Sequence, residues 1–264
     1  MIYVNIPNII QDIINCRSYA RDDVGKSGAG VYLYEDMVLK IQIIDTESEN
    51  EATMLRWLSG KIPAPNIIEH VCENGYSYIL MNKCAGKMAC DPYFMKNPKQ
   101  QTELLAEALH SLWSVDITDC PCRWPLKRCL ELAEDNIIHN RVDMDDAEPG
   151  TFGPKGFRDP EALLHWLKEN QPEEKEILCH GDFCLPNIFL SDSGVTGMID
   201  FGRGGVSDPW LDIALCYRSL DHNYGGMYNR RSYAGFEPRI LFDSLGIQPD
   251  PERIRYYILL DEFF

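Results

Sequence analysis

Two carboxylates and one amide in the second half of the chain are spaced for phosphoryl transfer. Asp182 is followed by Asn187 after five residues and by Asp200 after 18. A hydroxyl acceptor needs a carboxylate within hydrogen-bond reach, and a polyphosphate needs hard oxygen ligands for Mg²⁺. Asp182 therefore fits a catalytic base or hydroxyl-orienting group. Asn187 and Asp200 fit Mg²⁺ ligands.

A short β-hairpin must bring these groups together. The apolar runs 188–190 and 195–199 flank a Ser-Gly turn, which is typical of two antiparallel strands. This hairpin would place Asn187 and Asp200 at neighbouring strand ends, close enough to share one ion. His180 is expected to brace the loop by hydrogen bonding, since a lone histidine is more often structural than catalytic.

Features near the N-terminus are suited to hold nucleotide phosphates. The glycine-rich segment 25–32 precedes a strand, so it is not a Walker A loop, and a glycine-rich hairpin turn explains it equally well. Ser27 within it can donate to a phosphate oxygen. Lys40 lies in an apolar strand, where an isolated ammonium would be costly, and Glu51 on the next helix is its natural partner. The alternative is a partly exposed lysine on an edge strand.

The hydrophobic periodicity predicts an α+β chain in two lobes, a small N-terminal sheet lobe (1–83) and a larger, mainly helical C-terminal lobe (84–264). An acidic loop spans 141–156, and 223–236 is expected to be an insertion or mobile loop. The predicted strands outside the hairpin are 31–34, 37–44, 67–71 and 76–81, and the predicted helices are 47–58, 100–115, 126–139, 160–169, 208–220 and 251–263.

Charge and composition narrow the class of protein. The formal net charge of the 264 residues is −16, which argues against nucleic acid as a partner and favours a cationic small molecule. The same charge can simply promote solubility. No apolar run is long enough for a membrane span, and the first residues lack the features of a signal peptide. We therefore expect a cytoplasmic monomer or weak dimer with reduced cysteines, free of membrane contact.

Read in order, the motifs resemble the aminoglycoside phosphotransferases, distant relatives of protein kinases. Most of these motifs are shared with choline, fructosamine and homoserine kinases, whereas the ending and Leu185-Pro186-Asn187-Ile188 are similar to 3′-phosphotransferases that act on kanamycin and neomycin. The residues that carry the resemblance are the Gly/Ser loop, Lys40, Glu51, His180-Gly181-Asp182-x-x-x-x-Asn187, Ile199-Asp200-Phe201-Gly202-Arg203, Asp208-Pro209-Trp210-Leu211-Asp212-Ile213-Ala214 and Leu259-Leu260-Asp261-Glu262-Phe263-Phe264.

The resemblance implies a kinase-like fold and transfer of the γ-phosphoryl group of ATP, or of GTP, to a drug 3′-hydroxyl oriented by Asp182. Arg203 would pair with Asp182 or a phosphate. The residues implied for the nucleotide are Ser27, Lys40, Glu51, Asn82 and Cys84, with Asn187 and Asp200 for Mg²⁺. The implied ligands of the drug ammonium groups are Asp143, Asp145, Asp146, Glu148, Asp261, Glu262 and the terminal carboxylate of Phe264.

Two alternatives stay open at this point. A metabolite kinase for an amino sugar or a choline-like alcohol would share every catalytic motif, and only the ending and the acidic loop speak against it. A catalytically silent binding protein of kinase shape would not need Lys40, Glu51, Asp182, Asn187 and Asp200 all intact.

Overall fold

A five-stranded antiparallel sheet forms the N-terminal part of the protein. The computed structural model describes residues 6–22, 30–228 and 230–264. The strands are β1 (Ala20–Asp22), β2 (Gly30–Leu33), β3 (Met37–Ile43), β4 (Ile67–Glu73) and β5 (Tyr76–Asn82). They are ordered β1-β2-β3-β5-β4. The four strands predicted here are confirmed to within two residues at each end, and β3 lies at the centre of the sheet.

Two helices accompany this sheet, α1 (Asn8–Ile14) and α2 (Thr46–Leu58). Asp45 caps α2 in a reciprocal capping box: its carboxylate accepts from the backbone N–H of Ser48 at 2.8 Å, and the Ser48 hydroxyl accepts from the Asp45 N–H at 2.9 Å. The box fixes where the helix begins. It thereby fixes which side chains of α2 face the rest of the protein.

The C-terminal part is mainly helical, and the predicted helices are present. The elements are β6 (Lys87–Met88), α3 (Pro92–Met95), α4 (Pro98–Trp113), α5 (Leu126–Ile138), α6 (Pro160–Glu169), β7 (Ile177–Cys179), β8 (Ile188–Ser191), β9 (Gly194–Met198), β10 (Gly205–Ser207), α7 (Pro209–Gly225), α8 (Arg239–Leu245) and α9 (Pro251–Asp261). None of the helices within the described ranges is both long and apolar enough to cross a membrane. All ten cysteines are free, as predicted.

The largest departure from the predicted helices is at the end of α7. The helix continues five residues beyond the predicted end at 220, so the start of the expected 223–236 loop is helical. His222 and Asn223 look like loop residues in the sequence, but both are buried. Gly226, in the left-handed conformation with φ +82°, ends the helix.

One hydrophobic core connects the two parts. It includes Met54, Leu55 and Leu58 of α2 and continues through α4 to α7 and α9. Because α2 shares this core with the C-terminal helices, its position is set relative to them as well as to the sheet. The sheet ends at Asn82, so we keep residue 83 as the proposed end of the N-terminal lobe.

Candidate functional site

A buried carboxylate on α7 holds the loop that carries Asp182. Asp212 accepts hydrogen bonds from the backbone N–H groups of His180 at 2.7 Å and Gly181 at 2.9 Å. Burial raises the pKa of Asp212 to about 7, although the two N–H donors oppose that shift. Gly181 has φ +86°, and a Cβ atom there would lie 2.1 Å from the carbonyl oxygen of Arg203. Only glycine lets the two segments approach so closely.

Asp182 lies within this loop in direct contact with Asn187. The Asn187 Nδ2 donates to the carboxylate of Asp182 at 2.9 Å and to its backbone carbonyl at 3.0 Å. The Asn187 amide oxygen is its remaining polar atom, and it is a suitable ligand for a hard cation. The imidazole of His180 accepts from the Asp182 N–H at 3.3 Å, which confirms the predicted brace.

The predicted hairpin is present and brings Asn187 and Asp200 to neighbouring strand ends. In the β8–β9 pair, Ile188 lies opposite Met198, and the N–H of Ile199 donates to the carbonyl of Asn187 at 2.9 Å. Asp200 follows directly, with φ +67°. A left-handed backbone at a residue other than glycine must be held by its surroundings.

Lys40 is a principal contact of Asp200. Its Nζ donates to Glu51 at 2.8 Å and to Asp200 at 2.9 Å. Lys40 is 7% exposed on the central strand β3, so the alternative of an edge-strand lysine is wrong and the predicted pair with Glu51 is present. Burial disfavours the ammonium, but the two carboxylates outweigh it and raise the pKa of Lys40. The same ammonium outweighs the effect of burial on Asp200 and lowers the pKa of that carboxyl.

Two arginines occupy the carboxylate of Asp261. Arg203 donates to one oxygen and Arg218 to the other, each at 2.5 Å, and the Asp261 side chain is 9% exposed. Burial opposes ionisation, but the arginines outweigh it and lower the pKa of Asp261. Arg203 also lies 3.9 Å from Asp182, as the sequence suggested. An acid at this helix end is thus explained by the two arginines rather than by a free position facing a ligand.

Glu148 and Glu262 hold the acidic loop against the helices. Glu148 lies 3.6 Å from Arg218 and 3.1 Å from the imidazole of His222. Glu262 accepts from the Glu148 N–H at 3.0 Å and from the Thr151 hydroxyl at 2.7 Å. Both carboxylates therefore have partners in the protein.

The remaining acidic residues of the loop are exposed. Asp143, Asp145 and Asp146 all reach solvent, and the carboxylate of Asp143 accepts from the N–H groups of the other two at 3.0 and 3.4 Å. Phe264 is 42% exposed, and its ring centre lies 5.7 Å from the guanidinium of Arg203. These four residues are the exposed members of the set implied for the drug.

The predicted nucleotide contacts at the end of β5 have different partners in the structure. Asn82 donates its backbone N–H to the carbonyl of Asn66 at 3.1 Å and accepts from the Asn66 N–H at 2.6 Å. The thiol of Cys84 packs against Gly197, and burial raises its pKa to about 11. Asn82 therefore joins the end of β5 to the start of β4. A nucleotide contact by Asn82 or Cys84 stays a prediction. The Ser27 position lies outside the described residues.

Several residues of the site were missed in the sequence. Asp212 belongs to a motif that carried no assigned role, and Arg218 is an isolated cation on a largely apolar helix. His222, which contacts Glu148, gave no signal of its own. A buried polar side chain is recognised only when the partner that satisfies it is known.

Comparison with known proteins bears on the family and the fold of this chain. Residues 21–257 match the model of the phosphotransferase enzyme family. An aminoglycoside 3′-phosphotransferase of Enterococcus faecalis is 37% identical over 258 residues, covering 92% of each chain, and one of Staphylococcus aureus is 37% identical over 257 residues, also covering 92% of each. The structure of aminoglycoside phosphotransferase APH(3'')-Id from Streptomyces rimosus superposes with a TM-score of 0.79 at 23% identity, covering 97% of this chain and 96% of that one. The predicted kinase-like fold is confirmed.

Proposed function

Because the chain belongs to the phosphotransferase enzyme family, we propose that it transfers the γ-phosphoryl group of ATP to the 3′-hydroxyl of a kanamycin- or neomycin-type aminoglycoside. One observation carries the proposal. The Lys40 ammonium bridges Glu51 and Asp200 at the open end of the hairpin, where the neighbouring strand end holds Asn187 against Asp182. The identity with 3′-phosphotransferases over 92% of the chain supports the acceptor class.

The donor side of the site consists of one cation and oxygen ligands. Lys40 would contact the nucleotide phosphates, with Glu51 holding it in place, and Ser27 would cap the β-phosphate. Mg²⁺ binds nucleotides through one or two carboxylates together with phosphate oxygens, so Asp200 and the amide oxygen of Asn187 fit it. When bound, Mg²⁺ would neutralise charge on the phosphates.

On the acceptor side, Asp182 would accept the hydrogen bond of the attacking hydroxyl. Its contact with Asn187 fixes the carboxylate, and Arg203 at 3.9 Å supplies a positive charge beside it. The protein thus contributes orientation and charge stabilisation rather than a covalent intermediate. Arg203 is also placed to contact a phosphate oxygen.

Direct contacts to drug ammonium groups fall to exposed residues in this proposal. Asp143, Asp145 and Asp146 have exposed carboxylates, and Phe264, whose terminal carboxylate is the fourth proposed ligand, is also exposed. The paired carboxylates Glu148, Asp261 and Glu262 would contribute negative potential and would frame the site. This division follows from exposure and from the contacts of the three framing carboxylates. Asp261 and Glu148 lie against arginine, which compensates their charge, and Glu262 accepts from Thr151 and the Glu148 N–H.

The proposal is tested by measuring ADP release in the presence of ATP and Mg²⁺. Three conditions are compared: kanamycin, tobramycin, which lacks the 3′-hydroxyl, and no acceptor. Turnover with kanamycin alone would support transfer to the 3′ position. Equal turnover with tobramycin would refute the 3′ position, and no stimulation by kanamycin would favour a metabolite kinase.

The role of Asp182 is tested with the Asp182→Ala variant. We expect transfer to be lost while nucleotide binding, measured by calorimetry, stays close to that of the wild type. Asp192, exposed at the far end of the hairpin, offers the matched control Asp192→Ala, which should keep full activity. Loss of nucleotide binding with Asp182→Ala would mean that Asp182 is a structural residue.

A further inference from the structure

A single buried amide contacts three backbone carbonyls beside Asp200. The Nδ2 of Asn50 lies 3.2 Å from the carbonyl oxygen of Phe201, 2.9 Å from that of Gly202 and 2.8 Å from that of Gly204. Asn50 is 7% exposed. An amide nitrogen has two hydrogens, so three acceptors around it share them and satisfy all its donor capacity.

The carbonyls converge because residues 201–204 form a tight turn. The N–H of Gly204 donates to the carbonyl of Phe201 at 2.9 Å and closes the turn. Carbonyl oxygens that face one another in a buried place need a donor between them, since unpaired acceptors there are costly. The indole of Trp124 also donates to the Gly204 carbonyl at 3.0 Å. Asn50 is the common donor to the whole turn.

Asn50 lies on the face of α2 that serves the site. It is adjacent to Glu51 and one turn after Glu47, whose Cβ would lie 3.3 Å from a Cβ at Gly202. Positions three and four apart share a helix face. Helix α2 therefore holds the segment at two points, Asp200 through Glu51 and Lys40, and residues 201–204 through Asn50.

The backbone at Asp200 explains why a second contact is needed. Its φ of +67° is unfavourable for a residue with a Cβ atom, so the chain on both sides must be held. The hairpin holds the preceding side, where the N–H of Ile199 donates to Asn187. Asn50 and Trp124 hold the following side.

We infer that Asn50 is a positioning residue, which sets the Asp200 carboxylate for the metal–nucleotide complex by fixing the turn 201–204 to helix α2. This inference rests on the proposed function, in which a nucleoside triphosphate with a divalent cation is the phosphoryl donor. Asn50 touches neither substrate nor metal in this assignment. It acts through the backbone that follows Asp200.

The test compares binding of ADP with and without Mg²⁺ by calorimetry. The variant Asn50→Leu keeps the number and branching of the side-chain heavy atoms and removes the donor. Outer contacts of metal ligands typically change metal affinity by about 10- to 100-fold. In Asn50→Leu we expect the decrease in the ADP Kd that Mg²⁺ causes to be about 10- to 100-fold smaller than in the wild type. The ADP Kd measured in EDTA should stay within about twofold of the wild type. Amide hydrogen exchange across 200–205 should be faster in the variant without any ligand.

A matched control separates positioning from a general loss of stability. Gln101 is also a buried amide, and its hydrogen bonds run to Ala89 at 2.6 Å, Met95 and Tyr224 rather than to the turn. Gln101→Leu should lower the melting temperature and leave the effect of Mg²⁺ on ADP binding intact. If Asn50→Leu does not fold, Asn50→Ser, whose hydroxyl is too short to span the three carbonyls, should show the same selective loss.

Two results would overturn the inference. One is an unchanged Mg²⁺ effect and unchanged hydrogen exchange in the Asn50 variants. The other is an equal loss of the Mg²⁺ effect in Gln101→Leu. Neither measurement needs an acceptor, so a wild-type protein that binds Mg²⁺ and ADP but does not phosphorylate kanamycin would refute the proposed function and leave this test valid.

Discussion

Replacing Asp261 by asparagine separates two roles for this carboxylate. If Asp261 were a drug ligand, its replacement would weaken only the binding of the acceptor. In the structure, however, its two oxygens accept from Arg203 and Arg218 at 2.5 Å each, and these arginine side chains are 18% and 15% exposed. Asp261→Asn keeps the shape and removes the charge. Two largely buried guanidinium groups would then lose their closest anion.

The magnitude follows from the partners that remain. Removing one member of a buried ion pair typically costs about 3–5 kcal/mol. Arg203 retains Asp182 at 3.9 Å and Arg218 retains Glu148 at 3.6 Å, so the lower end applies. For a chain of this size, each kcal/mol lowers the melting temperature by about 2–4 °C. A loss of about 3 kcal/mol therefore corresponds to a decrease of roughly 6–12 °C.

The assay is thermal unfolding without ligand, followed by KM measurements for kanamycin and ATP. Asp143→Asn is the matched control, because Asp143 is exposed and its carboxylate accepts from neighbouring backbone N–H groups. We expect the control to melt within about 1 °C of the wild type, as surface substitutions usually do. The reasoning is refuted if Asp261→Asn melts like the wild type and raises only the kanamycin KM.

The pH dependence gives an independent check on Asp261. Its pKa in the folded protein lies below the ordinary value of 3.8, so the ion pairs contribute fully above that pH and are lost as the pH falls through the folded pKa. The stability difference between wild type and Asp261→Asn should therefore be constant near neutrality. It should shrink in acid below about pH 4.

Three further predictions concern the catalytic loop and its neighbours. Gly181→Ala places a Cβ 2.1 Å from the Arg203 carbonyl at φ +86°, so melting by circular dichroism should show a loss of several degrees and activity should fall below about 1% of the wild type. Asp212→Asn would point an N–H donor at one of the two backbone N–H groups, so kcat should fall about 100-fold. The pKa of Asp212 is raised to about 7, so its contribution to stability is complete below pH 3.8 and is lost as the pH rises to about 7. The stability of the variant should lack this pH dependence. Lys40→Met should raise the ATP KM about tenfold or more and leave the kanamycin KM nearly unchanged, as measured by ADP release.

The parts of the site that follow from local spacing could be predicted from the sequence. The hairpin places Asn187 beside Asp200 because a short turn between apolar runs leaves little choice of register. The Lys40–Glu51 pair follows from the cost of burying an ammonium alone.

Long-range contacts between polar side chains could not be predicted in this way. Asp261 looks like an exposed acid at a helix end, and only the fold brings Arg203 and Arg218 to it. Likewise, nothing near Asn50 in the sequence indicates that the turn 201–204 lies against it, since 151 residues separate it from Phe201. Periodicity identifies which face is buried, whereas the partner of a polar group on that face depends on tertiary packing.

Helix α7 makes two separate sets of contacts, one near each of its ends. Near its beginning, Asp212 holds the loop of Asp182; near its end, Arg218 and His222 hold Asp261 and Glu148. At 1.5 Å per residue the two ends lie about 15 Å apart. If the proposed function holds, substitution at the far end of the helix would change which acceptors bind and would leave the loop of Asp182 in place.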